Sequence, residues 1–88
     1  MIDDPAYVEW RRRVVPELSG ALVEARAMLD AFTLDDAFLV EFAHKTRKGW
    51  AEHDGGIRFM SREQVQAMAR EEVIDLLAYI AHIRAARA

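Results

Sequence analysis

The sequence predicts an all-α protein: a small antiparallel helical bundle of three main helices plus a short N-terminal helix, completed by dimerisation. Two observations predict the class. Every strong apolar periodicity recurs at three and four residues with strand-like alternation nearly absent, and proline, glycine and capping residues fall where such helices would start and stop. Length supplies the dimerisation, because 88 residues bury one core and helices this few gain from pairing with a second chain. Residues 1–88 read as a single helical domain, and a homodimer or higher homo-oligomer is expected.

Asp3 or Asp4 is placed to cap a short first helix with Pro5 at its first position, carrying Tyr7, Trp10 and Val14 on one side. Pro16 ends or kinks it. From Glu17 to about Phe32, the residues Leu18, Ala21, Leu22, Ala25, Met28, Leu29 and Phe32 make an amphipathic helix, weakened slightly by Gly20. Thr33 followed three residues on by Asp36 resembles a capping box for a helix through Leu34, Phe38 and Phe42 to about Lys48. Its basic last turn suits the helix dipole. Gly49 to Met60, marked by Asp54-Gly55-Gly56, reads as the one substantial loop, and Ser61 with Gln64 as a capping box opening a helix of roughly 25 residues to the C-terminus.

Composition narrows the function classes. With 52% hydrophobic and 31% charged residues the chain is too apolar for a disordered one. Its uninterrupted apolar stretches are only a few residues long, and no cationic, apolar, small-residue leader opens it, so no membrane association is expected and a cytoplasmic site is the default. Zero cysteines exclude disulfides, thiolate metal sites and cysteine nucleophiles. A net charge of −3 argues against broad nucleic-acid binding, which calls for a basic footprint. Arg11 to Arg13 are too few to change that reading, and they read as partners for acids such as Glu17.

Chemistry is sought where the core pattern is interrupted. Glu72 falls in the stripe formed by Val65, Met68, Ala69, Val73, Leu76, Ile80 and Ile83, and an ionised carboxylate removed from water needs a metal, a cation or hydrogen-bond donors. Asp75 lies three residues on at the stripe's edge and Glu71 further out, so Glu72 and Asp75 can converge on one ion. Two hard oxygen ligands suit Mg²⁺ or Mn²⁺. On the preceding helix Glu41 projects close to the sector of Leu34 and Phe38, with His44 three residues further. Antiparallel packing would bring Glu41, His44, Glu72 and Asp75 together.

Glu72-Val73-Ile74-Asp75, preceded by Glu71 and continuing Leu76-Leu77-Ala78-Tyr79-Ile80, resembles the second acidic cluster of the MazG-like all-α nucleoside triphosphate pyrophosphohydrolases. The resemblance covers roughly Leu34 to Ala86. That family's first cluster is usually Glu-Glu-x-x-Glu; here Val40, Glu41 and His44 occupy those places, so only Glu41 matches. The resemblance implies attack of water on the α-phosphorus of a nucleoside triphosphate, giving monophosphate and pyrophosphate. Glu41 and Glu72 would be the catalytic carboxylates, and Glu41, His44, Glu71, Glu72 and Asp75 the Mg²⁺ or Mn²⁺ ligands. Lys45, Arg47 and Lys48 would contact phosphate and Trp50 would stack on the base. The incomplete first cluster and the short chain fit equally a degenerate relative that binds the nucleotide without hydrolysing it, and short members of this kind are associated with phage-like genomes.

Each residue also has a plainer reading. Glu72 can pack its aliphatic stem while its carboxylate meets an arginine or solvent, Glu41 can serve as the i, i+4 partner of Lys45, and Trp10 and Trp50 can be packing or interface residues. His44, His53 and His82 then sit on helix surfaces. A second function class follows: a non-enzymatic helical homodimer acting as a protein-interaction or regulatory module, in which Glu72 pairs with an arginine, across the dimer if need be. Glu41-x-x-His44 also resembles half of a carboxylate-bridged di-iron motif, in a single copy.

Overall fold

A computed structural model describes residues 4–87 of the chain. They are helical almost throughout, with no strand among them, in agreement with the all-α expectation. The helices are α1 (Pro5–Val14), α2 (Leu18–Asp30), α3 (Asp36–Glu52) and α4 (Arg62–Arg87), with 3₁₀ turns at Val15–Glu17 and Gly56–Phe59. Among the described residues no helix is long and apolar enough to cross a membrane.

Local chemistry accounts for most boundaries. Asp4 caps α1, its carboxylate accepting from the Ala6 N–H at 2.8 Å with Pro5 at the first helical position. The alternative cap, Asp3, lies outside the described residues. Pro16 lacks the N–H that would continue the ladder, and α1 passes through the 3₁₀ turn into α2 with Val15 and Leu18 both in right-handed helical conformation. Pro16 therefore tightens the helical path without stopping it.

The start of α3 corrects the sequence reading. The carboxylate of Asp35, which has extended backbone, accepts from the Phe38 N–H at 2.9 Å, so Asp35 is the cap and the Thr33-Asp36 box does not form. Asp35 is the last residue before the regular ladder, and only there can a side chain reach the second or third open N–H. At the other end α3 runs on to Glu52, so Gly49 and Trp50 are helical. Asp54, at φ 49°, and Gly55, at φ 64°, then turn the chain left-handed, and the Gly55 N–H bonds back to the Trp50 carbonyl at 2.9 Å. The second capping box is present as expected: the Ser61 N–H donates to Gln64 Oε1 at 2.8 Å, and the Gln64 N–H donates to Ser61 Oγ at 3.1 Å.

The chain divides into two compact units, one drawn from Met1–Asp30 with Glu71–Ala88 and the other from Ala31–Arg70. The first holds the buried apolar cluster of Val14, Ala21, Ala25, Ile80 and Ala81, with Trp10, Leu76, Leu77 and Ala85 packed against it. Three of its five buried members are alanines. The alanines four apart on α2 contribute little apolar volume to this cluster. In Ala31–Arg70 no large apolar side chain among the described residues is buried. Its aromatic side chains form a row instead, Phe32 edge-on to Phe38 at 5.6 Å and Phe38 stacked on Phe42 at 6.2 Å.

Candidate functional site

The buried side of α4 in the first unit runs through Leu76, Leu77, Ile80, Ala81, Arg84 and Ala85, while Val73 and Ile83 are about half exposed. At about 100° per residue that face is turned away from the stripe expected on the sequence, and it leaves Glu71, Glu72 and Asp75 in solvent. The charged residue that enters the buried face is Arg84. Its Nε donates to Glu17 at 3.1 Å and its Nη1 donates to Glu24 at 3.0 Å, and a Cβ on Gly20, between those acids on α2, would overlap its guanidinium. Glu17 and Glu24 stand about two turns apart, so one guanidinium bridges both.

Glu17, read as a partner for Arg11 to Arg13, pairs instead with Arg84, and Glu72 meets solvent as its plainer reading allowed. Arg12 and Arg13 pair with Glu9 on their own helix, at 2.7 and 3.9 Å. His82 is exposed, as expected, and its Nδ1 accepts from the Trp10 indole N–H at 3.0 Å. Tyr7 packs beside that indole with ring centres 6.1 Å apart. A groove of about 460 Å³ opens beside it, lined by Trp10, Ala78, Tyr79, His82 and Ile83.

On α3 the expected site residues Glu41, His44, Lys45, Arg47, Lys48 and Trp50 are all exposed. Helical spacing puts Glu41, His44, Lys45 and Lys48 on one side, with Arg47 beyond them and Trp50 on the side opposite Lys48. The phosphate-contacting and base-stacking roles thus fall on different faces of one helix. Trp50 belongs to an apolar cavity of about 530 Å³ within Ala31–Arg70, where Thr46, Gly49, Ile57, Met60 and Met68 are among its neighbours.

The turn after α3 builds one wall of that cavity. Gly55 is buried against the Trp50 ring, where a Cβ would meet Cε2 and Cζ2 at 2.7 Å. The Arg58 guanidinium lies 4.9 Å from the centres of both the Trp50 and Phe59 rings, held by a 3.1 Å bond from Nε to the Gly55 carbonyl. Asp54-Gly55-Gly56 signalled the turn in the sequence; the cavity itself had no signal, because Met60, at the end of the expected loop, and Met68, on the next helix, join Trp50 only through the fold.

Within either unit the described residues hold no group of three His, Asp or Glu side chains placed to bind a metal ion. No ion pair engages Glu41, Glu71, Glu72 or Asp75 among the described residues. Comparison of the chain with protein-family models, curated proteins and solved structures gave no match.

Proposed function

We propose that this chain is a self-associating helical module whose working form is a homo-oligomer, acting through protein interaction. One observation carries the reading: large apolar side chains are exposed far beyond the needs of a folded monomer. Leu34 and Phe59 are each 79% exposed, Val40 72%, and Leu39, Phe42, Ile57, Val73 and Ile74 each more than half. Isolated exposed apolar residues are ordinary, but contiguous apolar faces mark interaction surfaces. A second copy is a cover present at fixed stoichiometry wherever the chain is made. Sedimentation equilibrium over micromolar concentrations tests this, with a concentration-dependent dimer or larger species expected and a folded monomer throughout removing the reading.

A second reading, nucleoside triphosphate pyrophosphohydrolysis with Mg²⁺ or Mn²⁺, is supported by Glu71, Glu72 and Asp75 standing exposed together on α4 with no cation on them among the described residues. Their donor set fits a hard divalent ion that keeps several of its waters. Glu72 and Asp75 would hold it, and the ion would neutralise triphosphate charge. Lys45 and Lys48 would draw phosphate to the α3 surface. Thermal unfolding with these ions and a nucleotide panel tests it, since a ligand that prefers the folded chain raises the midpoint. No shift at millimolar ligand removes this reading and leaves self-association untouched.

A further inference from the structure

We infer that α3 is the dimerisation helix, pairing antiparallel with the α3 of a second copy about a two-fold axis near Thr46, so that Phe42 of each copy seats over Gly49 of the other. The inference rests on the self-association reading and gives it a surface and a register.

The first support is Gly49 itself. Glycine inside a helix is unfavourable, and Gly49 lies within α3 with nothing within 4 Å of where its Cβ would be. Nothing in the chain alone requires glycine there. A neighbouring helix that comes close over that position does. Thr46 points the same way, because its hydroxyl bonds back to the Phe42 carbonyl at 2.8 Å; with its polar atom satisfied locally it presents a methyl group to the surface.

The second support is the shape of the unpartnered face. Phe38, Leu39, Phe42, Thr46, Gly49 and Trp50 recur at three and four residues along one side of α3. Its first half is a ridge, Phe38 stacked on Phe42, with Phe32 of the preceding connection edge-on to Phe38. Its second half borders the 530 Å³ cavity at Thr46, Gly49 and Trp50. Knob and hole thus lie on one face about two turns apart. Reversing one copy on another sets each ridge in the other's cavity, the self-complementary contact a two-fold axis produces. Phe42 and Gly49 are a heptad apart and nearly in line along the helix, so seating one over the other puts the axis between Lys45 and Thr46.

The area is of the right order. Leu39, Phe42, Trp50, Ile57, Met60 and Met68 are each between about a third and just over half exposed. At half of roughly 150–250 Å² for a large side chain they offer on the order of 600 Å². Phe38 adds to this, toward the about 800 Å² that each partner contributes to a standard interface.

Because the chain has no cysteine, one introduced thiol reports the register. Mild oxidation of Thr46→Cys is expected to yield a disulfide-linked dimer, while His44→Cys, on the opposite side of α3, is expected to yield little under the same conditions. Gly49→Leu is expected to raise the dimer dissociation constant at least tenfold by sedimentation, with monomer helicity by circular dichroism unchanged or higher. A wild-type chain that dimerises while Thr46→Cys fails to cross-link, or while Gly49→Leu dimerises as before, overturns the α3 pairing and leaves self-association standing. A wild-type chain that stays monomeric overturns both.

Discussion

The guanidinium of Arg84 occupies the space that a Cβ on Gly20 would take, with Glu17 and Glu24 accepting from it on either side. Gly20 therefore belongs to an ion-pair seat. In an exposed helix, glycine to alanine stabilises by about 0.5–1 kcal/mol. Here the guanidinium, the far end of a long side chain, must shift to admit a methyl, so we expect Gly20→Ala to gain less than that, and the same change made on Arg84→Met to gain the full amount. A double-mutant cycle by urea unfolding measures the difference. Additive effects would show that the guanidinium does not rest on Gly20.

Trp10 and His82 join α1 to α4 through one hydrogen bond. Trp10→Phe keeps an aromatic ring and removes the donor, leaving His82 to solvent, and should cost about 0.5–1.5 kcal/mol, the net worth of one such bond. Trp10→Ala also loses packing against the buried cluster and should cost about 3 kcal/mol. Equal losses for both variants by denaturant unfolding would assign the whole contribution to packing at this ring.

The cap of α3 separates two neighbouring residues. Asp35→Ala should destabilise by about 1 kcal/mol, and Thr33→Ala should stay within about 0.5 kcal/mol of wild type. Thermal unfolding followed by circular dichroism decides between them, and the reverse order would restore the Thr33 capping box. Ser61→Ala, which removes the bond to the Gln64 N–H, should resemble Asp35→Ala.

Gly55 has two independent reasons to be glycine: φ of 64° and the Trp50 ring against its Cα. We expect Gly55→Ala to cost about 1–2 kcal/mol and to red-shift Trp50 emission, read on a Trp10→Phe background. Asp54→Gly, at φ 49°, relieves a left-handed side chain and should stabilise by about 0.5–1 kcal/mol. Unchanged Trp50 emission in Gly55→Ala would mean that the ring does not lie on this turn.

Glu9 and Arg12 shift each other's titration. The hydrogen bond from the Arg12 guanidinium holds the Glu9 carboxyl below its ordinary value of 4.5. A carboxyl lowered in the folded chain stabilises above its unfolded pKa, and that contribution disappears as pH falls through the lowered value. Both side chains are in water, so the effect is small. Glu9→Gln should leave the melting temperature nearly unchanged at pH 7 and slightly reduce its fall on acidification below about pH 4.5. A large loss at pH 7 would show that this pair carries more than a surface contact.

The sequence by itself determined the helices. Asp4 with Pro5, the break in the α-helical ladder at Pro16, the Ser61-Gln64 box and the turn at Asp54-Gly55 were all legible, because caps and turns act between residues a few positions apart. The Asp35 cap was missed because Thr33, Asp35 and Asp36 all have capping chemistry, and which one stands beside the first open N–H depends on where the ladder begins. The far end of α3 was placed too early because Gly49 reads as a breaker until the helix carries through it. Only the tertiary structure decided which charged residue enters the packed face. Val65 to Ile83 marks an apolar side of α4, but burial follows where α2 lies, and the small Ala21 and Ala25 draw it toward Ile80, Ala81 and Arg84. Glu72 is thereby left in water, and Gly20, a weak point in the helix by sequence, becomes the seat of a guanidinium. Periodicity records which side of a helix is apolar; the neighbour that packs there, with its own small side chains and its own charges, selects what is buried.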